Sequence, residues 1–188
     1  MTDAIKGGKR QEMRGEEELL ERLHALGIAY QRHEHAPVFT VEESRALRGD
    51  LAGGHVKNLF LRDKKRNLYL VTVEEERPVD LKSLRRPLQS RGTLSFGDSE
   101  LLWANLGVKP GSVTPFGIIN DEVGKVRVAL DRGLLAHALV YCHPLRNDRN
   151  IAIAPGDLLR FLREEGHDPL LLDFDALAAD DASSAEGA

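Results

Sequence analysis

Two apolar runs separated by a four-residue charged turn constrain this chain more than any other feature. Leu59-Phe60-Leu61 and Leu68-Tyr69-Leu70-Val71-Thr72-Val73 flank Asp63-Lys64-Lys65-Arg66. Branched and aromatic residues suit a pleated, half-buried surface, and a short polar connection returns the chain on itself. The pattern predicts a β-hairpin over residues 57–62 and 67–73, entered through a glycine-rich loop at residues 48–54. Lys57 sits at the entry of a strand that reads as buried on both faces. A lysine so placed either extends its ammonium to water or holds it at a site.

The rest of the chain divides around this hairpin. Leu19, Leu20, Leu23 and Leu26 form one apolar stripe, predicting a helix over residues 16–26 stopped by Gly27. Residues 28–35 read as a strand. Thr40 is placed to cap a short helix over 41–47, with Glu43 completing a capping box. Residues 80–88 read as a helix and 93–96 as a strand. Asp98 caps a helix that Gly107 ends. Residues 111–120 are irregular. Strands are expected at 126–130, 138–143, 150–153 and 170–174, with a helix opened by Pro155 and closed by Gly166. Frequent hairpins among interspersed helices predict an α+β fold. Its sheet should be mixed, largely antiparallel and twisted, with about seven or eight strands flanked by helices.

Residues 1–15 form a polar lead-in, residues 16–174 one domain, and residues 175–188 an acidic tail in which no order is expected. At 188 residues a single core is the expected arrangement. One cysteine, Cys142, excludes an intrachain disulfide and fits a reducing compartment. No apolar run reaches the roughly 20 residues of a membrane span, and residues 1–14 lack the apolar stretch of a secretory signal. The cytoplasm is the expected location. Net charge is −4, and the tail alone carries four acids, so 26 acidic residues in the remainder face 26 basic ones. A balanced body argues against indiscriminate nucleic-acid binding but leaves room for a local footprint.

Three stretches carry residues suited to chemistry. Lys57 offers a fixed ammonium, able to meet a developing oxyanion or a phosphate. Gly111-Ser112-Val113-Thr114-Pro115-Phe116-Gly117 is a shaped loop with backbone donors and two hydroxyls, or simply a connecting turn with Phe116 in the core. His143 ends an apolar strand before Pro144, with Asn147 close behind. Cys142 and His143 are adjacent and so point to opposite faces of a strand, which excludes a thiol–imidazole dyad and assigns Cys142 to the core. His33 and His35 alternate on a strand, but further ligands for a metal are not found. Basic groups at Lys64, Lys65 and Arg66, at Lys82, Arg85 and Arg86, and at Arg146 and Arg149 each read as solvated surface.

Lys57-Asn58-Leu59-Phe60-Leu61, Gly111 to Gly117, and His143-Pro144-Leu145-Arg146-Asn147, in that order, resemble the YbaK/prolyl-tRNA-synthetase-associated editing superfamily. Within it the sequence is most similar to the ProX/PrdX group. The likeness extends over residues 16–174 and departs where Asn150 replaces the usual threonine. It implies a trans-acting hydrolase that deacylates mischarged aminoacyl-tRNA, alanyl-tRNA(Pro) first and cysteinyl-tRNA(Pro) second. The other class left open is a non-catalytic tRNA- or protein-binding module. The resemblance makes Lys57 the functional hallmark. It assigns substrate contacts to Pro37, Val38, Phe39, Thr40, Asn58, Gly111, Ser112, Val113, Thr114, Pro115, Phe116, Gly117, His143 and Asn147. Arg146 and Arg149 flank this set and could meet acceptor-stem phosphates. No metal or cofactor is expected, and no DNA or membrane partner. The expected partners are an aminoacyl-tRNA acceptor end and, transiently, prolyl-tRNA synthetase, with the protein a monomer or weak dimer.

Overall fold

The structure, a computed structural model, describes residues 12–35 and 52–179. Eight strands form one sheet: β1 (Tyr30–Glu34), β2 (Gly54–Arg62), β3 (Leu68–Glu74), β4 (Ser95–Phe96), β5 (Val126–Asp131), β6 (Val140–Cys142), β7 (Arg149–Ile153) and β8 (Leu170–Leu172). The order is β1-β7-β6-β2-β3-β5-β8, and β4 pairs with the far end of β2. The predicted hairpin is present, with Leu59 opposite Val71 and Leu61 opposite Tyr69. Pairings β1–β7, β6–β7, β2–β3 and β2–β4 are antiparallel; β2–β6, β3–β5 and β5–β8 are parallel. The fold is the expected α+β arrangement with a mixed, mostly antiparallel sheet.

Three expected helices have bounds close to those predicted: α1 (Glu16–Ala25), α2 (Ser99–Leu106) and α3 (Pro155–Glu164). The Glu18 carboxylate accepts the Gly15 N–H at 2.8 Å, satisfying a donor at the start of α1. Asp98 accepts from Leu101 N–H at 2.8 Å, and Gly107 ends α2 at φ 64°, a left-handed turn that favours glycine. All three helices bury their apolar stripes on one face of the sheet. Leu19, Leu23, Leu106, Phe161 and Leu162 meet Phe60, Leu70, Val128, Cys142, Ile151 and Ile153 there. Each such side chain contributes about 1.5–3 kcal/mol of burial.

The opposite face is covered over half its width. Leu61, Tyr69, Val71, Val73 and Ala129 pack against Leu84, Leu88 and Leu94 of the segment that follows β3, and against Phe174. This segment departs from the sequence reading. In place of a helix over 80–88 there is one 3-10 turn, Ser83–Arg85. Pro87 supplies no N–H to extend a helix, so although Arg86 keeps helical dihedrals (φ −69°, ψ −55°) the turn does not propagate and the segment packs on the sheet through its leucines. The last strand is also shorter than expected. It ends at Leu172, and residues 174–179 are helical. The expectation that order stops at Phe174 is therefore corrected for these residues: Phe174 is buried and Leu177 packs on the second cluster. Residues 180–188 and the expected helix at 41–47 lie outside the described residues. No helix among them is long and apolar enough to cross a membrane.

Candidate active site

The part of the second face over β1, β7, β6 and the start of β2 collects the polar residues of interest. The register shows why. Cys142 pairs with Ile151, and both face the helices, so the intervening Tyr141 and the neighbouring Asn150 face away. Asn150 stands opposite His33, and Tyr141 opposite His55. The His55 and Tyr141 rings stack 4.7 Å apart and 7° from parallel, with His33 tilted against Tyr141 at 5.5 Å. Two residues further along each of these chains come Lys57 and His143. Gly53 is needed at this edge: it has φ 145°, and a Cβ there would lie 2.6 Å from the Tyr141 ring.

Lys57 is half-buried. Its Nζ donates to the main-chain oxygen of Arg77 at 2.5 Å. Desolvation pulls the ammonium's pKa below its ordinary value, and the nearby Glu75 charge partly opposes this. The Arg77 carbonyl is itself held in place. The Arg77 guanidinium pairs with buried Asp131 at 2.6 Å and with Asp175 at 2.7 Å, and lies 5.7 Å from the Phe174 ring. The ammonium therefore rests on a rigid acceptor rather than swinging freely in water.

His143 is half-buried, with Nδ1 3.1 Å from the Arg149 carbonyl oxygen. A carbonyl only accepts, so Nδ1 carries the proton and Nε2 keeps its lone pair. Burial depresses the imidazole pKa, favouring this neutral form, and nearby His35 adds to the shift while the Arg149 bond opposes it. The His35 ring centre is 6.1 Å away, and Asn150 Nδ2 donates to His35 Nε2 at 3.0 Å. Asn150, where the likeness has threonine, thus holds a second imidazole beside the first. Asn147 is half-buried in the following turn.

The Gly111 to Gly117 loop lies on the other side of the sheet from the Lys57 side chain. Asn58 faces that side, donating to the Val113 carbonyl at 2.9 Å and accepting from Thr72 at 2.7 Å. Asn58 is thus an anchor for the loop. Thr114 and Phe116 are fully buried, Phe116 edge-on to Phe161 at 5.3 Å, so these two side chains support the loop from within the core. Ser112 and Pro115 are also buried, and Gly117 packs on Leu106. Gly111, at φ 85°, and half-buried Val113 are what the loop presents outward.

Arg146 and Arg149 are not free for phosphates. Both pair with Asp148, and both reach Glu16, at 3.6 and 3.3 Å. Pro37, Val38, Phe39 and Thr40 lie outside the described residues. Cys142 is buried on the helix-facing side, its thiol pushed up to about 12 by desolvation, which makes it a poor nucleophile. Among the described residues no three histidine, cysteine or acidic side chains converge as a metal site. The sequence reading missed the aromatic floor of His33, His55 and Tyr141. His33 was visible there only as a metal ligand in search of partners, and the pairing of His55 with Tyr141 joins residues 86 positions apart.

A family model described as an aminoacyl-tRNA editing domain matches residues 35–161. A prolyl-tRNA synthetase associated domain-containing protein 1 from Danio rerio is 42% identical over 160 residues, covering 84% of this chain and 86% of that one. The prolyl-tRNA editing protein ProX of Acetoanaerobium sticklandii is 34% identical over 157 residues, covering 83% and 95%. A solved structure described as a candidate trans-editing enzyme for prolyl tRNA synthetase superposes with a TM-score of 0.62 at 20% identity, covering 86% of this chain and 99% of that one, and so shares the fold. Motif order, fold and relatives agree: this chain belongs to the aminoacyl-tRNA editing domain family, the YbaK/prolyl-tRNA-synthetase-associated group.

Proposed function

We propose that the protein is a trans-acting deacylase that hydrolyses mischarged aminoacyl-tRNA, with alanyl-tRNA(Pro) as its substrate. The observation that carries this reading is the rigidly seated Lys57 ammonium on the same face of the sheet as a neutral His143. The likeness to ProX supports the choice of tRNA.

Water adds to the ester carbonyl, the bond to the ribose oxygen breaks, the ribose regains its hydroxyl proton and the amino acid leaves as a free carboxylate. Negative charge grows on the carbonyl oxygen as water adds. An ammonium held in place beforehand stabilises that charge without reorganising. It serves equally to fix the phosphate of the terminal nucleotide. The unprotonated Nε2 of His143 is an acceptor for the substrate's ammonium group. Small side chains are selected by volume, because a pocket excludes larger residues more easily than it rejects smaller ones, where a methylene is worth about 1–3 kcal/mol.

The test is a panel of alanyl-, cysteinyl-, seryl- and prolyl-tRNA(Pro), scored for amino acid release. Alanine release in preference to the others is expected. Preferential cysteine release would reassign the substrate, and no release from any would remove the enzyme reading.

A further inference from the structure

Basic groups that are separate in the sequence meet at the hairpin tip. Asp63, buried at the turn, accepts the Arg91 main-chain N–H at 2.7 Å and the Tyr69 hydroxyl at 3.2 Å. The Lys64 side chain lies against Gly92, whose carbonyl accepts from Arg85 Nε at 3.0 Å. Lys64, Lys65, Arg66, Arg85, Arg86 and Arg91 are all exposed. None of the six pairs with a carboxylate among the described residues, whereas Arg14, Arg22, Arg32, Arg77, Arg146 and Arg149 elsewhere each do. In a chain whose body has balanced charge, exposed cations from residues 64–66 and 85–91 thus share one rim, where the Asp63 carboxylate is taken up by main-chain N–H groups, the Asn67 amide and the Tyr69 hydroxyl.

That rim is continuous with the candidate site. The segment that covers the second face leaves β3, passes Arg77, whose carbonyl holds Lys57, and ends at Arg91 beside Asp63. Its outer surface from residue 80 to residue 92 bears Lys82, Arg85, Arg86 and Arg91 against one carboxylate, Asp80. At about 3.3 Å per strand residue, Lys57 and Asp63 are some 20 Å apart along β2.

We infer that this rim binds the phosphate backbone of the tRNA acceptor stem as it leads away from the aminoacylated end. The inference rests on the proposed substrate, which places one continuous polyanion at Lys57 and beyond. Ammonium and guanidinium groups without carboxylate partners make sequence-independent phosphate contacts, which position the RNA without reading it.

The test compares wild type with the triple variant Lys65→Gln, Arg86→Gln, Arg91→Gln, whose side chains make no hydrogen bond among the described residues. Binding of uncharged tRNA(Pro) is read by fluorescence anisotropy across salt concentrations. Single-turnover release is read on alanyl-tRNA(Pro) and on the alanyl ester of a CCA trinucleotide. The variant should bind tRNA at least about fivefold more weakly, with a salt slope reduced by about two to three. It should need more enzyme to half-saturate on alanyl-tRNA(Pro), reach the same maximal rate, and treat the trinucleotide ester as wild type does. Unchanged tRNA affinity and salt slope would overturn the inference. So would an equal loss on the trinucleotide ester, or wild-type binding to phosphatidylserine vesicles, but not to tRNA, that the triple change abolishes. A wild type that binds tRNA through these residues but releases no amino acid would leave the rim standing and remove the proposed reaction. Release by wild type that the triple change leaves untouched would do the reverse.

Discussion

Lys57 and Asn58 are consecutive on β2 and work on opposite faces of the sheet. The Lys57 ammonium donates to the Arg77 carbonyl at 2.5 Å, while the Asn58 amide donates to the Val113 carbonyl at 2.9 Å. One strand thereby joins the imidazole-lined face to the glycine-rich loop on the other side of the sheet. The two motifs are mechanically linked through β2 and not by meeting in one cavity.

Replacing Lys57 tests the site directly. Lys57→Ala should leave circular dichroism unchanged and lower the single-turnover rate on alanyl-tRNA(Pro) by about 10²–10³, as for the loss of one preorganised donor. Lys57→Arg should rescue poorly, because a planar guanidinium cannot reproduce a point ammonium on the Arg77 carbonyl. A folded alanine variant within threefold of wild type would remove Lys57 from the chemistry.

Asp63 should be a stability centre. Burial alone would raise its pKa, but hydrogen bonds from the Asn67 side chain, the Arg91 and Asn67 main-chain N–H groups and Lys65 hold it well below the carboxylate range. Asp63→Ala strands these donors and should cost about 3 kcal/mol or more, read by urea unfolding. The contribution is present above the unfolded carboxylate pKa and is lost as pH falls towards the lower folded value.

Truncation after Phe174 should lower stability, although residues 175–188 read from the sequence as a tail without order. It removes the Asp175–Arg77 ion pair at 2.7 Å and the Leu177 contact with the second cluster. The exposed pair is worth under about 1 kcal/mol and partial burial of Leu177 about 1 kcal/mol. A fall in Tm of about 2–6 °C is expected, with a slower maximal rate if the Arg77 carbonyl shifts under Lys57. A chain ending after residue 179 should keep both.

Mild acid should destabilise the fold through His143. Its folded pKa lies below the ordinary 6.5, chiefly because the ring is buried. The unfolded chain therefore takes up a proton first as pH falls, and stability drops between 6.5 and the lower folded value. His143→Asn should flatten the dependence of Tm on pH in that window. An unchanged slope would show that another group carries it.

The sequence by itself determined most of the secondary structure and the chemistry on offer. The hairpin, the Asp98 cap, the Gly107 and Gly166 stops and the placement of Cys142 in the core all rest on local rules: period, capping geometry and strand alternation. So did the selection of Lys57 and His143 as site residues, since their motifs are contiguous. Only tertiary structure decided what those residues face. The parallel pairing of β2 with β6 brings His55 to Tyr141 and turns Lys57 away from the Gly111 to Gly117 loop. Packing on Leu84 and Leu88 overrode the helical reading of residues 80–88. Pairing with Asp148 and Glu16 occupied Arg146 and Arg149, while Lys64, Arg85 and Arg91 came together at the hairpin tip. Each of these outcomes depends on contacts between residues far apart in the chain, and linear patterns carry no record of which distant partner a side chain will meet.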